Sequence, residues 1–205
     1  MDEMDHDRMP SMAKHCFVTV GATASFTQLL NHVATDDFIQ ALQQHNYTHL
    51  TIQYGPDLAY VAEFIDRHKT DTARNGAIEV NGFDFKTEGL SQDMSMAKPC
   101  PSENRVGGMI LTHAGTGSIL EALRLGVPLV VVPNPDLQDN HQMELAREMH
   151  RQGYVVATAP EELCPAVRKA EDLRLRRPGW PPVENGRGPR PYIRESLNDE
   201  LGFLD

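Results

Sequence analysis

The sequence predicts an α/β domain, a Rossmann-like open parallel sheet with helices on both faces. Three observations lead there. Short apolar runs alternate with longer stretches whose apolar residues recur at helical spacing. Glycine or proline punctuates most of the junctions between them. This strand-helix rhythm implies right-handed crossovers, and a sheet built from such crossovers is buried on both faces.

Taken in order, residues 16–20 form the first apolar run, closed by Gly21, after which Phe26, Leu29, Leu30 and Val33 share a helical face. Leu50, Ile52 and Tyr54 alternate with Thr51 and Gln53 up to the Gly55-Pro56 break. Residues 58–67 then return to helical spacing through Val61, Ala62 and Ile65. A third strand is expected at 77–80, ending at Asn81-Gly82. Residues 86–107 show no period and contain Pro99 and Pro101, so a surface loop of about twenty residues is expected. Beyond it the pattern sharpens into a strand at 109–112, a helix at 118–125 stopped by Gly126, and a strand at 129–132. A helix at 140–151 stopped by Gly153, a strand at 154–157 and a last helix at 161–174 complete the series.

The domain so read occupies 15–176 of the 205 residues, with a disordered N-terminus at 1–14 and a Pro/Gly-rich tail at 177–205. The tail carries Ile193, Leu197, Leu201, Phe203 and Leu204, apolar positions suited to docking on a partner. A formal net charge of −10 argues against a nucleic-acid or anionic-lipid surface, which would need clustered Lys and Arg. An anionic ligand must therefore be held by local donors. No window approaches the roughly 20 apolar residues that span a bilayer, and the acidic first ten residues do not read as a signal peptide. Cys16, Cys100 and Cys164 are odd in number and scattered, which suits reduced thiols in the cytosol and neither a disulfide frame nor a zinc site.

The densest chemical signal is Thr112-His113-Ala114-Gly115-Thr116-Gly117-Ser118, at an expected strand-to-helix junction. Small residues there let backbone N–H groups approach an anion, and a helix N-terminus adds about half a positive charge. A diphosphate would suit such a turn. The alternative is that Ser118-x-x-Glu121 is only a capping box. Glu121 itself could accept hydrogen bonds from two ribose hydroxyls, as acidic residues do in many nucleotide sites. The next junction, from Pro133 to Asn140, His141 and Gln142, offers polar side chains that would suit sugar hydroxyls, or a second helix cap at Asp139. The first junction, with Gly21 and Thr23, is a weaker glycine-hydroxyl turn. Neither GxGxxG nor GxxxxGK[ST] occurs, which removes dinucleotide and P-loop chemistry. The only Asp-x-Asp, Asp5-His6-Asp7, falls in the N-terminus expected to be disordered, so no metal or other cofactor is expected.

The stretch HAGTGSILEALRLGVPLVVVPN, followed by DNHQMELAREMHRQGYV, resembles the donor-binding subunit of the eukaryotic transferase that adds the second N-acetylglucosamine to the dolichol-diphosphate precursor of N-glycans. FVTVGATASFTQL, THLTIQYG and IEVNGFDF fall where that family has similar segments, and the resemblance covers residues 16–160. It implies the C-terminal, donor-binding half of a GT-B glycosyltransferase. It also implies a separate membrane-anchored subunit that binds the acceptor and holds the chain at the cytosolic face of the endoplasmic reticulum. By the same likeness Glu121 takes the ribose, and Gly115, Thr116, Gly117 and Ser118 the diphosphate, with His113 and Ala114 leading into that turn. Asn140, His141 and Gln142 lie on the sugar side, the backbone at Phe83 and Asp84 faces the uracil, and Gly21 to Thr23 line the crevice. Two departures stand out: residues 87–106 are irregular where the family has a regular helix, and Thr112 stands where Ser is more common.

The expected activity is inverting transfer of N-acetylglucosamine from its UDP donor to the dolichol-linked acceptor. The leaving diphosphate would be stabilised by amides and a helix dipole. His113 is a candidate general base, as is a group on the partner. A non-catalytic module that binds a nucleotide sugar is the alternative, and a UDP-sugar epimerase ranks behind it because the chain is too short for two lobes.

Overall fold

A computed structural model describes residues 12–21, 25–56, 58–69, 77–135 and 140–176. Its strands are His15–Thr19 (β1), His49–Gln53 (β2), Glu79–Phe83 (β3), Met109–His113 (β4), Leu129–Val132 (β5) and Val156–Ala157 (β6). The helices are Thr27–Val33 (α1), Asp36–Gln44 (α2), Leu58–Lys69 (α3), Ser91–Ser95 (α4), Thr116–Leu125 (α5), Asn140–Arg151 (α6) and Leu163–Arg176 (α7). Among the described residues the strands form one sheet in the order β3-β2-β1-β4-β5-β6, and every pairing is parallel. The open parallel sheet expected from the sequence is present.

Its two faces bury different sets of side chains, as alternation along each strand requires. Val18, Leu50, Ile52, Val80, Leu111 and Val130 pack on one face against residues of α1, α2, α3 and α7. Phe17, Ile110, Leu129 and Val131 pack on the other, against α4, α5 and α6. The result is three layers. Chain order reverses between β1 and β4, and a doubly wound sheet opens a ligand crevice beyond its strand ends at such a reversal.

Beyond shifts of two residues at the bounds of β6 and α7, four elements differ from the sequence reading. Helix α2 was not anticipated between 33 and 50; Thr35 caps it by accepting from the Phe38 N–H at 3.2 Å, and Asp36 and Asp37 occupy its first turn. Strand β3 runs through Asn81-Gly82 instead of stopping there. A Cβ at Gly82 would stand 2.6 Å from Ile65 Cδ1, so this glycine admits α3 against the strand where a turn was expected. The segment expected as a surface loop contains α4 and the 3-10 turn Pro101–Glu103, and it buries Met94 and Ala97 on the face of the sheet that carries Phe17 and Ile110. Lys86 and Asp93 close its start with an ion pair at 2.8 Å. Helix α5 begins at Thr116, two residues before the Ser118 start read from the sequence.

The last helix is fastened to the first strand by charge as well as by apolar contact. Glu171 accepts from Lys14 Nζ at 3.0 Å, Tyr47 Oη at 2.6 Å and Arg174 at 3.1 and 3.2 Å. Burial alone would raise the Glu171 carboxyl, yet these donors together hold it below the usual carboxylate range. For Lys14 burial wins instead and lowers its pKa, so the network is governed by the carboxylate that all three donors share. Ala13 and Lys14 already pair with the domain, through Asn104 and Thr48, just ahead of the boundary drawn at residue 15. The tail 177–205 and residues 1–11 lie outside the described residues.

Candidate functional site

The crevice is built where β1 and β4 end side by side. Gly21 follows β1 with φ at +83°, a left-handed backbone that favours glycine. A Cβ there would stand 2.5 Å from His113 Cε1, and one at Gly115 would stand 2.2 Å from His113 Nε2. The imidazole at the end of β4 therefore separates two bare backbone turns that could not otherwise approach it. Burial pushes His113 below its ordinary pKa of 6.5, opposed by the nearby Thr19 carbonyl. The ring is thus neutral at physiological pH, and its buried Nδ1 has no hydrogen-bond partner of good geometry among the described residues.

Immediately beyond the ring, Ala114 is buried and Gly115 forms the N-cap of α5. No side chain caps this end, and its first turn holds no acidic residue. The N-terminal amides of Thr116, Gly117 and Ser118 are therefore available in the direction of the helix dipole. Gly117 is exposed, and a Cβ on it would meet nothing within 4 Å. The capping box does not form, because Ser118 lies inside the helix. Glu121 instead accepts a hydrogen bond from Ser91 Oγ at the start of α4. That contact ties the ribose candidate to the segment that leaves β3.

The flanks of the crevice come from the neighbouring strands. On the β5 side the Asn134 amide donates to the Ser25 carbonyl at 3.2 Å, joining the turn after β5 to the one after β1. Helix α6 starts at Asn140 on the same end of the sheet; His141 is exposed in its first turn, and Gln142 Oε1 is buried without a partner among the described residues. On the β3 side Phe83 stacks on Phe17 with centroids 6.5 Å apart, and the Asp84 carbonyl accepts from the Gly55 N–H at 3.2 Å. Phe85, next along, is 58% exposed. Thr23 and residues 136–139 lie outside the described residues.

The topology thus brings Gly21, His113 and the 114–118 turn together directly, with Gln142 and Phe83 to either side. Two contributors were not singled out from sequence. Ser91 sat in the segment without a period, and Gln53 read as one polar position in an alternating strand.

Residues 15–177 match the model of the glycosyltransferase family 28 C-terminal domain. The chain belongs to that family. Among curated relatives, the UDP-N-acetylglucosamine transferase subunit ALG13 of Saccharomyces cerevisiae is 36% identical over 190 residues, covering 80% of this chain and 87% of that protein. The NMR solution structure of ALG13 superposes with a TM-score of 0.57 at 28% identity, over 90% of this chain and 95% of that one. The crystal structure of Acinetobacter baumannii MurG superposes with a TM-score of 0.53 at 16% identity, over 83% of this chain and 44% of that one. At that identity the likeness is one of fold, the C-terminal domain of a GT-B glycosyltransferase. Among the described residues of this family 28 domain, no helix is long and apolar enough to cross a membrane.

Proposed function

We propose that this chain is the donor-binding subunit of an N-acetylglucosaminyltransferase that moves N-acetylglucosamine from UDP-N-acetylglucosamine to dolichol-diphosphate-N-acetylglucosamine. The observation that carries the reading is the uncapped N-terminus of α5, set beside Gly21 at the reversal point of the sheet. The names of its family 28 relatives, transferase subunits for this donor, support the choice of sugar. In this reading the amides of Gly115 to Ser118 take the diphosphate, Glu121 the ribose hydroxyls, Phe83 and Asp84 the uracil side, and Asn140, His141 and Gln142 the sugar. Gly21 and Thr23 line the crevice.

The chemistry follows from charge. Departure of UDP places developing negative charge on the diphosphate, and fixed amides at a helix end stabilise it without reorganising. A neutral His113 next to that turn can take the proton from an acceptor hydroxyl or donate a hydrogen bond to the diphosphate; a base on the partner is the competing assignment. The partner, in this proposal, is membrane-anchored, binds the dolichol-linked acceptor and keeps this chain at the cytosolic face of the endoplasmic reticulum. Titration of UDP-N-acetylglucosamine into the chain, followed by a transfer assay on membranes that contain the partner, tests the proposal in two steps. Binding without transfer in the complete mixture would favour the non-catalytic module, and no binding would remove the donor site.

A further inference from the structure

Gln53, the last residue of β2, is 2% exposed and uses all four hydrogen-bonding positions of its amide. Its Oε1 accepts from Thr19 Oγ1 at 2.7 Å and from the Gly21 N–H at 3.2 Å. Its Nε2 donates to the Gly21 carbonyl at 3.1 Å and to the Asp84 carbonyl at 2.8 Å. Thr19 Oγ1 accepts from the same Gly21 N–H at 3.2 Å. One side chain on the intervening strand thus grips the turn after β1 and the turn after β3 together.

The sheet itself does not need this. Gln53 is already paired through its backbone with Thr19 on one side and Phe83 on the other. An apolar residue at so buried a place would avoid the cost of desolvating an amide. What the amide adds lies beyond the ladder, where the strands have ended and only side chains can hold the turns. Gly21 is the turn whose backbone lies against His113, and Asp84 is the turn on the uracil side. A fully satisfied buried network fixes one geometry where apolar packing would allow several.

We propose that Gln53 is a positioning residue for the donor: it holds the Gly21 turn and the Asp84 turn at a set separation, so that both ends of a nucleotide sugar meet preformed edges. The inference rests on the donor-site reading above. It assigns to Gln53 no contact with the ligand.

The test uses the full chain, with UDP-N-acetylglucosamine titrated by calorimetry and folding followed by thermal melting. Gln53→Glu keeps shape and acceptors but loses both donors, so at pH 7.5 the affinity should fall at least tenfold. It should return towards the unsubstituted value as the pH is lowered and the carboxyl, once protonated, donates again. Gln53→Met fills the same space without hydrogen bonds and should bind as poorly at every pH. Thr19→Val, the milder change, should cost a few-fold and serves if the Gln53 variants do not fold. In the folded variants the amide NMR signals of Gly21 and Phe85 should shift while that of Gly153 stays. Folded Gln53→Met that binds the donor as tightly as the unsubstituted chain would reduce Gln53 to a space filler and overturn the inference, as would Thr19→Val with unchanged affinity. If the unsubstituted chain itself takes up no UDP-N-acetylglucosamine, the donor-site reading fails first and this inference falls with it.

Discussion

Glu121 has one observed and one proposed use for its carboxylate, and they can be separated. One oxygen receives Ser91 Oγ, which secures α4 to α5. In the proposed complex the carboxylate also takes the ribose hydroxyls, charge-assisted bonds that together contribute about 2–4 kcal/mol. Glu121→Ala should therefore weaken UDP-N-acetylglucosamine binding about 30-fold or more, at about 1.4 kcal/mol per decade, in a protein that still folds. Ser91→Ala should weaken it less, because the carboxylate remains. Calorimetry giving equal affinity for the folded Glu121→Ala chain would leave only the contact with α4. A second residue reports on acid stability. His15 stacks on His49 with centroids 4.1 Å apart, and burial, then His49, then Arg105, lower its pKa to about 4 against the opposing pull of Glu79. In the unfolded chain it titrates near 6.5. Between these values the unfolded state holds more protons, so the contribution is complete above pH 6.5 and drains away as the pH falls towards 4. His15→Gln should flatten that part of the stability profile by about 1–2 kcal/mol, allowing for screening at a partly exposed ring. Denaturant melts at stepped pH would show it. Motif residues such as His113 and Gly115 were legible because their chemistry is local to one turn. Gln53 was not, since only folding brings Thr19, Gly21 and Asp84 around it.

At the scale of elements, what could be read was whatever repeats. Strands β1, β4 and β5 announce themselves as apolar runs, β2 by alternation, and α3, α5 and α6 by helical spacing. Helix α4 has five residues and one buried anchor, Met94, which is too little to make a period. It nevertheless closes the second face of the sheet beside Phe17 and Ile110. Met94→Ala should cost about 2–4 kcal/mol through the cavity it leaves. Because α4 also carries Ser91, donor affinity should fall along with the thermal midpoint; an unchanged midpoint would mean that the segment contributes nothing to the core. At the far end, α7 depends on Glu171. Glu171→Ala leaves the buried Lys14 ammonium with the His45 carbonyl but no counter-charge, and the buried Tyr47 hydroxyl without its acceptor, and should cost about 3–5 kcal/mol by denaturant titration. Donor binding measured well below the melting temperature should persist, since the network lies at the N-terminal ends of the strands, away from the crevice.

As a whole the described molecule is one lobe, and a GT-B active site lies between two. The isolated chain should accordingly transfer no sugar while still binding donor, and transfer should appear when the proposed membrane-anchored partner is supplied; measurable turnover by the chain alone would refute the split enzyme. In the complete mixture transfer should survive EDTA, because the proposed stabilisation of the leaving diphosphate comes from amides at α5; activity lost on chelation and restored by Mg²⁺ would assign that task to an ion. The strand order has a further effect, on how the chain reaches this state. The first strand is a central one, and its β4 neighbour arrives only after β2, β3 and α4 have been made. Until then one edge of β1 has no partner, and an unpaired apolar edge invites pairing with another chain. The ion pair that joins Lys14, just ahead of β1, to α7 spans 157 positions and can close only last. Such distant contacts slow folding. During synthesis, then, the half-made sheet is the species most prone to aggregate: a ribosome-bound chain halted before residue 109 should engage chaperones, and one halted only after α7 has emerged should not.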